Sequence, residues 1–188
     1  MIRIAAASFA VALVGCASAP VEQHYVLSPV AGASRGALPD AAIAVAMARV
    51  TEAVDRPQLV VSASENRVRI LEQQRWAEPL KSGIPRVVAA NLGRLLGTSR
   101  VSAYPNALST DGGFRVSLDV KRFESRPGEG VSVEIDWSVQ RGSGAPRAGR
   151  SVADEKVAGG DYEALVAAHS RALAAVSGEI AQAILSAR

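Results

Sequence analysis

Residues 114–140, FRVSLDVKRFESRPGEGVSVEIDWSVQ, decide the fold class. Phe114, Val116, Leu118 and Val120 alternate with Arg115, Ser117, Asp119 and Lys121. Val131, Val133, Ile135, Trp137 and Val139 alternate in the same way with Ser132, Glu134, Asp136 and Ser138. A period of two sends one set of side chains to one face, so each run reads as a half-buried strand, with Trp137 on the inward side. Ser125-Arg126-Pro127-Gly128-Glu129-Gly130 carries the turn chemistry that folds the two runs into an antiparallel hairpin.

Outward from this hairpin the pattern alternates between strands and helices. Ile43, Val45 and Met47 interleave with Ala44, Ala46 and Ala48, so both faces of residues 43–50 are apolar and the strand belongs in the middle of a sheet. Residues 24–27, 59–61, 67–71 and 101–104 read as short strands, residues 28–40 and 142–149 as loops, and residues 150–157 as an edge strand. Residues 79–96 switch to helical spacing, with Ile84, Val88, Leu92, Leu95 and Leu96 on one stripe and Gly97 as the stop. Pro85 is expected in the first turn, where its missing N–H costs little. Asp161 can cap a last helix whose stripe is Leu165, Ala172, Leu173, Val176, Ile180 and Ile184. Four strands, a helix, four strands and a helix predict a single α+β domain: a mixed or largely antiparallel sheet with two long helices packed on one face.

Composition narrows the function classes. In 188 residues, 48% are hydrophobic and 21% charged, a globular profile. Three of the basic residues are lysines (Lys81, Lys121, Lys156), and eight aromatics spread along the chain form no stacking platform, so nucleic acid is not an expected partner despite a net charge of +3. One cysteine, Cys16, leaves no disulfide framework and no thiolate metal site.

The N-terminus reads as an address. Arg3 supplies a positive start, and residues 4–14 form an apolar run of signal-peptide length, too short to span a bilayer. Leu13-Val14-Gly15-Cys16 resembles the bacterial lipobox, in which the cysteine thiol takes a diacylglycerol before cleavage in front of it. The expected organisation is a signal peptide over residues 1–15, a lipidated tether over 16–22 and a domain over 23–188. Acyl chains on Cys16 would hold that domain on a membrane without a transmembrane helix. Ala17 stands where an aspartate would retain a lipoprotein of the enterobacterial type at the inner membrane, so the resemblance implies the periplasmic face of the outer membrane.

Catalytic chemistry finds little support. His24 and His169 stand alone, no Gly-x-Ser-x-Gly element occurs, and Gly93-Arg94-Leu95-Leu96-Gly97-Thr98-Ser99 lacks the Gly-Lys pair of a phosphate loop. Asp111-Gly112-Gly113 is a turn rather than a metal loop. No catalytic residue, metal or cofactor is expected beyond the covalent lipid on Cys16.

More specific are Asp55-Arg56-Pro57-Gln58-Leu59-Val60-Val61, Gln74-Arg75-Trp76-Ala77-Glu78-Pro79-Leu80 and Asn91-Leu92, with Tyr25-Val26-Leu27 and the tail Asp161-Tyr162-Glu163-Ala164-Leu165-Val166. Together with the lipobox these resemble the ABC-type transport auxiliary lipoprotein family over nearly the whole mature chain. Val54 and Val61-Ser62 depart from the common family pattern. The resemblance implies a non-catalytic lipoprotein working with an ABC permease and ATPase and a periplasm-spanning MCE-domain protein to move phospholipid between membranes. Trp76, with Arg75 and Glu78 beside it, is the candidate partner anchor, and core packing is its alternative role. Arg75 and Glu78 are expected either to pair with each other or to cap backbone groups. A conduit needs a continuous lining, which makes a closed homo-oligomer one expectation. The competing readings are a structural envelope lipoprotein that carries no lipid and a lipid- or wall-modifying hydrolase.

Overall fold

The computed structural model describes residues 21–30, 32–105 and 112–187. The lipobox, Cys16 and Asp111 lie outside the described residues. Ten elements follow the expected order: β1 (Gln23–Tyr25), β2 (Ile43–Val50), β3 (Gln58–Ser64), β4 (Arg67–Trp76), α1 (Leu80–Leu96), β5 (Val101–Ala103), β6 (Phe114–Arg126), β7 (Gly130–Arg141), β8 (Arg147–Lys156) and α2 (Tyr162–Ser186).

The fold is α+β, with a mixed five-stranded sheet in the order β5-β2-β6-β7-β8. β2 lies inside it, parallel to both β5 and β6, as its two apolar faces require. The β6–β7 hairpin pairs Val116 with Val139, Leu118 with Trp137 and Val120 with Ile135. α1 packs on β2 and β5, α2 on β6, β7 and β8, and the helices pack on each other. Ile43, Val45, Val116, Leu118 and Ile135 meet Ile84, Val88, Leu92, Leu173, Val176 and Ile180 in a core where each is fully buried. The buried residues of this core run from Leu27 to Ile184.

The strands divide into two sheets where one was expected. The β3–β4 hairpin joins neither outer strand of the large sheet, β5 or β8, and instead forms with β1 a three-stranded sheet, β1-β4-β3. This small sheet meets the large one where β3 packs beside β6, and Ser62 donates to Glu124 at 2.7 Å.

Helix ends follow the sequence closely. The Ala164 N–H donates to Asp161 Oδ1 at 2.7 Å, capping α2. Gly97 ends α1 at φ 64°, with its N–H on the Gly93 carbonyl. The loop before β2 folds over the same end: Arg35 and Leu38 donate from their backbones to the Leu95 and Leu96 carbonyls, satisfying orphan acceptors. Pro85 is the exception. α1 starts directly after Pro79, ahead of the apolar stripe, which puts Pro85 in the second turn and leaves the Lys81 carbonyl without its usual donor.

A candidate docking site at the end of the small sheet

β4 ends at Trp76, and two backbone bonds lock that end. The Trp76 N–H donates to the Pro57 carbonyl at 2.7 Å, and the Ala77 N–H donates to the Tyr25 carbonyl at 2.8 Å. The two motif segments quoted above therefore meet in space. Asp55, Arg56 and Pro57 face Trp76, Ala77, Glu78, Pro79 and Leu80 across a cavity of about 320 Å³.

Trp76 is 8% exposed, so most of its ring belongs to the core and its remaining surface lines the cavity. Its indole meets Phe123 edge-on at 6.1 Å and His169 at 6.4 Å, while Phe123 and His169 stack 3.9 Å apart at 10°. His169 Nε2 hydrogen-bonds Ser125 Oγ at 2.8 Å, and Nδ1, also buried, has no partner. Burial pulls the pKa of His169 down to about 3, which keeps the ring neutral.

This cluster was not legible from the alternating pattern, because a bulge resets it. Val120 pairs with Ile135 and Arg122 with Glu134, so Lys121 is the extra residue and the inward phase moves to Phe123 and Ser125. The adjacent polar residues Lys121-Arg122 before Phe123 were the available signal.

Charges rim the cavity. Lys81 Nζ reaches Asp55 at 2.6 Å. Arg86 Nε donates to Glu78 at 3.0 Å, and Arg86 Nη2 donates to the Leu27 carbonyl at 2.7 Å, which ties the start of α1 to the chain after β1. Arg75 pairs with Glu22 at 3.0 Å. Arg75 and Glu78 thus do not pair with each other: residue 75 points to β1 and residue 78 to α1, because the chain turns between them. An apolar floor inside a charged rim is the anatomy that receives an apolar side chain from a protein partner.

His24 lies 3.7 Å from Glu22 on β1 and His169 lies against Ser125, so the two histidines have separate partners. The Ser125–His169 contact is sealed beneath Trp76, and no carboxylate orients the ring. Among the described residues no three His, Cys, Asp or Glu side chains converge as for a metal, and no helix is long and apolar enough to cross a membrane.

The family model for the ABC-type transport auxiliary lipoprotein component matches residues 25–181, spanning both motif segments and the cavity they line. The chain belongs to the ABC-type transport auxiliary lipoprotein family. As a family member it has an auxiliary role in an ABC transport system and the character of a membrane-associated lipoprotein. Its fold recurs in the crystal structure of an uncharacterised protein, with a TM-score of 0.69 at 19% identity over 87% of this chain and 99% of that one. It recurs again in a DUF330 protein from Xanthomonas campestris, with a TM-score of 0.65 at 17% identity over 88% and 96% of the two chains. No curated protein matches this auxiliary lipoprotein.

Proposed function

We propose that this auxiliary lipoprotein is anchored through acylated Cys16 to the periplasmic face of the outer membrane. There it serves as the non-catalytic subunit of an MCE-type ABC lipid transport system, receiving the MCE-domain protein at the Trp76 cavity. One observation carries the docking assignment: segments about twenty residues apart in sequence, both part of the family resemblance, assemble a single apolar cavity with an ionic rim. Transfer of phospholipid then requires a fixed anchor and a docking surface rather than a catalytic group.

A photo-crosslinking side chain placed at Arg56, in cells expressing the whole envelope system, tests this reading. An MCE-domain protein covalently captured, with phospholipid above that of a detergent-matched control, is the expected result. Capture of no MCE-domain protein, with the lipoprotein recovered monomeric and lipid-free, would overturn it in favour of a structural envelope lipoprotein. Reversing the rim pair with Asp55→Lys and Lys81→Asp singly should each lower capture while leaving the melting temperature within about 2 °C, as expected for exposed charges. The double reversal should restore it in part.

A further inference from the structure

The end of the molecule opposite the Trp76 cavity carries its own arrangement of charge and apolar surface. The β3–β4 and β6–β7 hairpins face each other there across a cleft of about 980 Å³. Arg67 and Arg69 line it, and their side chains have no ion pair or hydrogen-bond partner among the described residues; nor do the side chains of Glu65 and Glu129 at its rim. The other charges in the cleft are neutralised: Arg126 pairs with Glu124 at 2.7 Å, and Arg122 with Glu134 at 3.3 Å. Val68 and Ile70, 57% and 39% exposed, alternate with Arg67 and Arg69 along β4 and so lie on its other face. β1 pairs with β4 at Gln74, Arg75 and Trp76, and among the described residues no strand pairs with the flank of β4 away from β3 over residues 67–73.

The direction of β1 says what covers this surface. β1 runs parallel to β4 with Gln23 beside Gln74, so the chain leading into it comes from the side of the β3–β4 turn. Residues 16–22 span at most roughly 25 Å when extended. Arg67 lies seven residues before Gln74 on β4, roughly 23 Å along the strand. Seven residues extended in line with β1 are therefore long enough to reach the level of Arg67, at the hairpin end.

We infer that the hairpin end rests on a phospholipid bilayer whose headgroups carry both phosphate and primary ammonium, as in phosphatidylethanolamine. Arg67 and Arg69 take the phosphate, and Glu65 and Glu129 the ammonium. Charge complementarity selects this headgroup, because the unpaired set is mixed rather than uniformly basic. The inference deepens the anchor reading of Cys16 and rests on it for direction. It also places the docking cavity, at the far end of β4, facing away from the membrane.

Vesicle co-sedimentation of residues 17–188, which retain the whole core and carry no acyl group, tests the inference. Vesicles of phosphatidylcholine, with and without an equal part of phosphatidylethanolamine, serve as the probe. Preferential binding to the ethanolamine-containing vesicles is expected. Arg67→Gln with Arg69→Gln should weaken binding to both by roughly tenfold or more, through loss of charge-assisted bonds to phosphate, and Glu65→Gln with Glu129→Gln should remove the preference alone. Val68→Ser with Ile70→Ser, on the other face of the strand, should leave binding and preference unchanged. Absence of binding, or binding that the arginine pair leaves unchanged, overturns the inference. Palmitate labelling of wild type against Cys16→Ser reports on the anchor separately: unlabelled Cys16 with the preference intact overturns the anchor and supports the surface, whereas labelled Cys16 without vesicle binding does the reverse.

Discussion

His169 makes the most definite single-residue case. Its pKa in the folded chain is about 3 and that of a free histidine is near 6.5, because burial disfavours the charged ring. Between those values the unfolded chain binds a proton that the folded chain refuses, so stability falls as pH falls. The slope is about 1.4 kcal/mol per pH unit from this group, starting near pH 6.5 and ending near pH 3. Urea titrations at stepped pH should show it, and His169→Phe combined with Ser125→Ala should flatten it without stranding the serine hydroxyl; an unchanged slope would refute the assignment. Trp76→Ala, which opens the roof over the same cluster, should cost about 3–5 kcal/mol by the general scale for buried aromatics. At this scale Trp76 was visible from its motif, since a large aromatic before Glu78-Pro79-Leu80 marks a strand-to-helix turn. Its partners Phe123 and His169 were not, because pairing across 46 residues of chain depends on a bulge that alternation alone does not reveal.

Among the elements, β8 shows how one missing side chain sets a strand's place. Gly149 sits opposite Trp137, and a Cβ there would overlap the indole ring. The same indole donates from Nε1 to Ser151 at 2.9 Å, and Ser151 donates to Glu179 of α2 at 2.6 Å, so strand, sheet face and helix are joined through Trp137. Gly149→Val should push the ring off Ser151, lowering stability by roughly 1–3 kcal/mol as for other overpacked sites, with a change in near-ultraviolet circular dichroism. Asp161→Ala, by contrast, removes only the α2 cap and should cost about 1 kcal/mol without altering the spectrum. The helices and the central hairpin were legible because periodicity and caps agree within each. Pro85 was misplaced by one turn, since the stripe that locates the helix begins at Ile84 while the backbone turns helical at Leu80.

Across the whole molecule, the two sheets differ in support. The large one carries both helices, whereas the small one is joined to it through β3 beside β6 and through the Trp76 cluster. Amide exchange should accordingly be faster in β4 residues 67–73 than in β6 and β7, the most heavily covered strands; equal protection would show that the sheets open as one unit. That division escaped the sequence because the strand count and order are the same for one sheet or two. What decides it is that neither outer strand of the large sheet, β5 or β8, pairs with β3 or β4.

β1 is three residues long, yet its parallel setting gives it a mechanical role. A load on the chain ahead of Gln23, drawn back along β4, runs parallel to both strands, so the β1–β4 hydrogen bonds resist in shear together instead of peeling one after another. The Glu22–Arg75 ion pair and the Tyr25 hydroxyl on Gln74 act as rivets across the same seam. Pulled from residue 21 in an optical trap, the domain should hold until β1 slips as a discrete step. A gradual lengthening from the first piconewtons would show that the seam peels instead. In that geometry a short strand makes a strap, and drag on a partner seated at the far end would be borne by the seam before it reaches the core.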